Sequence, residues 1–162
     1  MIDKMIIDAD LCIKLGGSDR HRFLYDILPL MSRNIYMHTH AHSEVMMPSS
    51  AVRQLTALIS ERRVIIVNDT ELKAQDRIVY NATYQKLARV MIDPVRPSKN
   101  KGEVCSLAYA KTTGIPFFAT DERNLQPIID TLLNTGKDDI SCIRIIDIIH
   151  MARNRAYSGK TA

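Results

Sequence analysis

The chain has no tryptophan, only three phenylalanines, and just six glycines and six prolines among 162 residues. So little glycine and proline excludes a fibrous or low-complexity protein. Cysteine is scarce as well, and Cys12, Cys105 and Cys142 stand far apart without a C-x-x-C pair. That argues against a disulfide framework and a zinc ribbon, and it points to a reducing, cytoplasmic setting. Apolar runs are short, such as Val64-Ile65-Ile66-Val67, so no segment reads as a membrane span. Asp3 stands where a signal peptide carries basic charge, and no cleavage-site pattern follows, so no leader is expected.

What is present suits one folded domain over residues 1–162, with a core at about 5–150 and a basic C-terminal tail. Hydrophobic residues make up 46% and charged residues 25%, and a chain of this length buries roughly two-thirds of its unfolded surface. Net charge is +4, from 22 basic and 18 acidic side chains. The basic ones gather in Arg96-Pro97-Ser98-Lys99-Asn100-Lys101, in Arg62-Arg63, and at Arg144, Arg153, Arg155 and Lys160. Such clusters are ordinary solvated surface, or they ease the approach of a polyanion.

Hydrophobic periodicity predicts strands alternating with helices. Strands are expected at Met5-Ile6-Ile7, Asn34–Met37, Val64–Val67, Ile115–Ala119 and Cys142–Ile146. Between them the spacing predicts a helix over Asp19–Met31 and a helix opened by Pro48-Ser49-Ser50 with Val52, Leu55 and Ile59 on one face. A longer helix, capped by Asp69 or Thr70, runs to about Met91 with Leu72, Ile78, Val79, Ala82 and Leu87 as core positions. Asp93 to Lys101 reads as a loop, and a helix from Glu103 ends at Gly114. Leu125, Ile128, Ile129, Leu132 and Leu133 mark a further helix, and the last one reaches about Arg155. Alternation of this kind implies an α/β fold, a parallel sheet with helices on both faces. Ligands of such sheets bind outside the carboxyl ends of the strands.

That rule singles out certain acidic residues. Asp8 ends the first strand, Asp121 lies just beyond the fourth, and Glu44 follows the second. Glu103 opens a helix, with Asp10 and Glu122 near enough to join. Clustered carboxylates raise one another's pKa, and a hard divalent cation, Mg²⁺ or Mn²⁺, relieves the repulsion. A metal so held activates water and neutralises charge on a phosphodiester oxygen.

The segments Ile6-Ile7-Asp8-Ala9-Asp10-Leu11-Cys12-Ile13, His42-Ser43-Glu44-Val45, Gly102-Glu103-Val104-Cys105-Ser106-Leu107-Ala108 and Ala119-Thr120-Asp121-Glu122 resemble the PIN domain family, in that family's order, over roughly residues 5–150. The resemblance implies a three-layer α/β/α fold with a five-stranded parallel sheet and an acidic Mg²⁺/Mn²⁺ site. It implies a ribonuclease, and the VapC-type toxins of toxin–antitoxin pairs belong to the same family. Carried over by position, Asp8, Glu44, Glu103 and Asp121 would bind the metal. Asp10 stands where the family usually has Ser, Thr or Asn and adds a charge, while Asn100 stands where an acidic residue is frequent. Glu44 or a metal-bound hydroxide would take the proton of the attacking water. Thr120 is expected to orient Asp121 or a water, and Lys99, Lys101 and Arg123 to contact phosphates of the RNA. The resemblance allows two protein partners, an antitoxin covering the acidic groove and a second copy of the chain. Met46-Met47 and Ile146–Met151 would supply an apolar dimer face, or else belong to the core.

Other readings compete. His38-Thr39-His40-Ala41-His42 would face one way in a strand, as zinc ligands do, and it approaches the HxHxDH segment of metallo-β-lactamase-like hydrolases. Ser43 breaks that pattern, and His150 is the only later histidine, so these histidines read mainly as strand-end or surface residues. Asp8-Ala9-Asp10 also fits the DxD nucleophile of haloacid-dehalogenase-like phosphatases, with Lys137-Asp138-Asp139 as the final acidic motif. A third reading is a PIN-like module that binds nucleic acid without cleaving it.

Overall fold

The computed structural model describes the backbone of residues 1–158 and the side chains of residues 1–155. Lys160, at the end of the expected basic tail, lies outside the described residues. The strands are β1 (Ile2–Ile7), β2 (Ser32–His38), β3 (Ile65–Val67), β4 (Phe117–Ala119) and β5 (Ser141–Ile143). They form one all-parallel five-stranded sheet in the order β3-β2-β1-β4-β5. The helices are α1 (Ala9–Leu15), α2 (Phe23–Ile27), α3 (Thr39–Glu44), α4 (Ser49–Ser60), α5 (Ala74–Met91), α6 (Lys101–Thr113), α7 (Leu125–Leu132) and α8 (Ile145–Ser158).

Alternation along β1 builds the three layers. Met5 and Ile7 point into one core with Leu11, Leu24, Leu55, Leu58 and Ile148, from α1, α2, α4 and α8. Ile6 points the other way, into a core of Leu87, Val104, Leu107 and Ile129 from α5, α6 and α7. Met5, Ile6 and Ile7 have no exposed surface, and burying each such side chain is worth about 1.5–3 kcal/mol. The central strand thus anchors both faces. On the first face α1 and α4 pack closely because Gly16 has no side chain, and a Cβ there would lie 2.6 Å from the Cα of Ala51.

Several boundaries differ from the sequence expectation. A helix over Asp19–Met31 is cut to α2 plus a 3₁₀ turn over Leu28–Leu30, because Pro29 interrupts the α-helical hydrogen bonding. The fifth strand stops at Ile143 rather than Ile146, because the Asp147 carboxylate accepts the Arg144 N–H at 2.9 Å and turns the chain into α8. Neither Asp69 nor Thr70 caps α5. Asn68 accepts the Thr70 N–H and forms a 3₁₀ turn over Asp69–Glu71, and α5 begins only at Ala74. Of its expected core positions only Leu87 is fully buried, whereas Ile78, Val79 and Ala82 are exposed and Tyr80 is buried instead. Helix α1, which the sequence reading left unassigned, starts directly after Asp8. Met46 and Met47 are exposed rather than core, as is Ile146, while Ile148 is buried. Among the described residues no helix is long and apolar enough to cross a membrane.

Candidate active site

Strand order reverses between β1 and β4, which puts a crevice outside their carboxyl ends. Asp8 sits at that point. Its N–H donates to the Ala119 carbonyl at 3.0 Å, tying β1 to β4 one residue past the paired strands. One carboxylate oxygen accepts the Ala9 N–H at 2.8 Å, and Asp8 caps α1. The other accepts the Thr120 hydroxyl at 3.3 Å. Thr120 is fully buried and orients Asp8, in place of the expected Asp121, while its oxygen accepts the Glu122 N–H at 3.3 Å.

Asp8 has no exposed surface. Burial, reinforced by the negative charges of Glu103, Glu44 and Asp10, pushes its carboxyl up to about 8, although the Ala9 hydrogen bond works the other way. Glu44 is the last residue of α3. Its carboxylate is raised by burial and by Glu103, and is drawn down by the Gly102 backbone N–H. His40 Nε2 lies 3.3 Å from the same carboxylate. The absence of a side chain at Gly102 makes room for Glu44, since a Cβ there would stand 2.8 Å from both carboxylate oxygens. Glu103 is raised by burial and, among charges, by Glu122 and Asp10.

Asp121 shares the sheet edge but has a different environment. Lys14 reaches it at 2.9 Å and Arg144 at 3.6 Å. The Lys14 hydrogen bond, chiefly, holds its carboxylate below the usual range. Lys14 also pairs with Asp10 at 3.1 Å and so bridges the two acids. The fold therefore brings Asp8, Glu44, Glu103 and Asp10 within mutual electrostatic reach and places Asp121 beside them, already neutralised by two cations. Among the described residues, no three His, Cys, Asp or Glu side chains are spaced to hold a metal ion as they stand. The donor chemistry, oxygen-only and crowded with negative charge, fits a hard divalent cation. Closing such a shell requires side chains to turn.

Of the expected phosphate contacts, Lys99 and Arg123 are exposed and Lys101 is half-buried at the start of α6. Sequence reasoning missed Lys14 and Arg144 as partners of Asp121. Helical spacing gives only the pairing of Lys14 with Asp10, four residues before it, once α1 is recognised.

The competing motifs come apart. His38 ends β2 whereas His40 and His42 lie in α3, so the three do not line one strand face. His38 is buried, not surface, and its Nε2 lies 3.0 Å from Asp69. Lys137 and Asp138 offer their carbonyls to Lys111, near the far end of α6. That is roughly 12 Å along the helix from Glu103 at about 1.5 Å per residue, so Lys137-Asp138-Asp139 cannot serve Asp8 as a phosphatase partner.

No protein-family model matches the chain, and neither does any curated protein. Among solved structures, a chain in the crystal structure of VapBC2 from Rickettsia felis bound to a DNA fragment from their promoter has a similar fold. The match has a TM-score of 0.53 at 10% identity, and covers 87% of this chain and 98% of that one. At that identity the likeness concerns the fold, a PIN-like three-layer arrangement around the parallel sheet.

Proposed function

We propose that this chain is a metal-dependent ribonuclease, hydrolysing RNA phosphodiester bonds with Mg²⁺ or Mn²⁺ at the carboxyl edge of the sheet. The observation that carries the reading is Asp8, a carboxylate without solvent at the switch point, crowded by Glu103, Glu44 and Asp10. A fold maintains such repulsion where a function needs it, and a divalent cation is what removes it. Asp8, Glu44, Glu103 and Asp121 would hold the metal, with Asp10 beside them. When bound, the metal supplies an activated water and neutralises charge on the phosphoryl oxygen.

The chain's own residues do the rest. Thr120 fixes the Asp8 carboxylate, and Gly102 leaves room for Glu44. Glu44, at the end of α3 against Gly102, or a metal-bound hydroxide would take the proton of the attacking water. Lys14 and Arg144 hold Asp121 in its ionised form. The likeness to a VapBC2 chain supports reading the protein as the toxin of a pair. Its antitoxin would cover this acidic edge with an Arg or Lys side chain.

The test is incubation of the purified protein with mixed RNA, with and without Mn²⁺ or Mg²⁺, beside Asp121→Asn. Cleavage is expected to need the metal and to fall by more than about 100-fold in the variant. Cleavage that survives in the variant overturns the site. Absence of cleavage by folded protein with either metal moves the assignment to a binding module.

A further inference from the structure

Next to the carboxylates, the ends of α3 and α6 and the middle of α5 enclose a second cleft, of about 600 Å³. That volume falls within the range of small-ligand sites, about 300–1,000 Å³. We propose that it holds one unpaired nucleobase of single-stranded RNA, with the adjoining phosphate on Lys101.

The cleft has the parts that such a ligand requires. Three rings run along its wall in sequence. His38 lies over Tyr80 at 6.3 Å with planes 8° apart, and Tyr80 follows Tyr84 at 6.2 Å and 29°. His38 and Tyr80 are buried, and His38 is held by Asp69. Tyr84, half-buried, is the last ring of the line and itself lines the cleft. Asn81 and Gln85 stand one turn apart on the exposed face of α5 at the same cleft. Their amides each offer a donor and an acceptor, which is how base edges are read. Stacking on tyrosine tolerates any base, but the base must be out of a duplex.

Position ties this cleft to the proposed chemistry. Lys101 lines it and is followed by Gly102 and Glu103, while His40 and Ser43 line it too and Glu44 comes next in the chain. A strand with a base against Tyr84 and its phosphate on Lys101 runs directly to the carboxylates. Two of the three histidines that the sequence offers as zinc ligands, His38 and His40, line this cleft instead.

The inference rests on the ribonuclease reading for what happens to the strand, but the pocket can be tested without cleavage. A fluorescently labelled, unstructured RNA of about ten nucleotides is titrated in EDTA and followed by anisotropy. Tyr84→Ala is expected to weaken binding by about 5- to 150-fold, the range for loss of one stacked base. Tyr84→Phe, which keeps the ring, is expected to restore it. A duplex of the same sequence is expected to bind more weakly than the single strand. Thermal melting checks each variant. Should Tyr84→Ala unfold, the exposed pair Asn81→Ala/Gln85→Ala decides, with a loss of about fivefold or more expected. Unchanged affinity in these folded variants overturns the pocket, as does equal affinity for duplex or no RNA binding in EDTA. If Mn²⁺-dependent cleavage is found alongside any of those results, the nuclease reading stands without the pocket. Binding that depends on Tyr84, with no cleavage under either metal, keeps the pocket and removes the nuclease.

Discussion

Asp8 has no water around it and three negative neighbours, and one consequence can be measured without any substrate. In the folded chain it keeps its proton up to about pH 8, whereas unfolded it ionises near 3.8. The folded state therefore binds more protons between those values, and stability falls as pH rises through them. Glu44 and Glu103, also raised, act in the same direction. His38 and His40 act in the opposite one. Burial lowers both below the ordinary 6.5, so the unfolded chain takes up their protons first and stability is lost as pH drops past that value. Above 6.5 the histidine contribution fades and the carboxylates dominate. In EDTA, melting is expected to move up as pH falls from 8 to 6.5. The slope has an upper bound of about 1.4 kcal/mol per pH unit for each proton, which amounts to a few degrees. Asp8→Asn keeps an oxygen for the Ala9 N–H, melts higher than the parent at pH 8, and flattens the pH dependence. A parent that melts lower at 6.5 than at 8 would mean that Asp8 is not the buried acid described.

Helix α6 gives the element its clearest role, as it carries Glu103 and Gly102 to the site from a left-handed Asn100. The Asn100 amide holds the Met91 carbonyl at 2.9 Å. Gly102→Ala separates helix from site. Alanine favours the helix by about 1 kcal/mol over glycine, but its Cβ would meet the Glu44 carboxylate at 2.8 Å. The end of a glutamate side chain moves more readily than a helix. Melting is therefore expected to stay level or rise, while metal-dependent cleavage drops about 10-fold or more. Cleavage at the parent rate would show that Glu44 needs no fixed position.

At this scale it is also plain what the sequence disclosed. The five strands and the placing of Asp8 and Asp121 were legible because short apolar runs between helical stretches and a parallel topology leave few alternatives. Helix α5 was legible at its C-terminal end, near Met91, but not in its start or its rotation. Its apolar residues lie on both sides, and Tyr80 and Leu87 were buried ahead of Ile78 and Val79 by packing that no local pattern encodes. The contacts of Asp121 with Lys14 and Arg144, and the line of His38, Tyr80 and Tyr84, join residues far apart in the chain. Only the folded distances disclose them.

Across the whole molecule, a chain of net charge +4 concentrates carboxylates at one edge of its sheet, and Lys99 and Arg123 are exposed. On the proposed reading, a polyanion would be drawn to the basic surface and repelled by the carboxylates until a cation filled their centre. The fold and the cation should therefore be linked. Mn²⁺ binding only the native state at about 100 times its Kd adds about 2.7 kcal/mol. Because the carboxylates must give up protons to the metal, the shift in melting temperature is expected to be larger at pH 8 than at 6.5. This is the reverse of the trend in EDTA, so Mn²⁺ should bring the two melting temperatures closer together. Asp8→Asn and Asp121→Asn should each shrink the Mn²⁺ shift, while Tyr84→Ala, outside the carboxylate cluster, should leave it in place. A melting temperature unmoved by Mn²⁺ at either pH would leave the crowded carboxylates without a cation to relieve them, and the metal site would have to be abandoned even if RNA binding persisted.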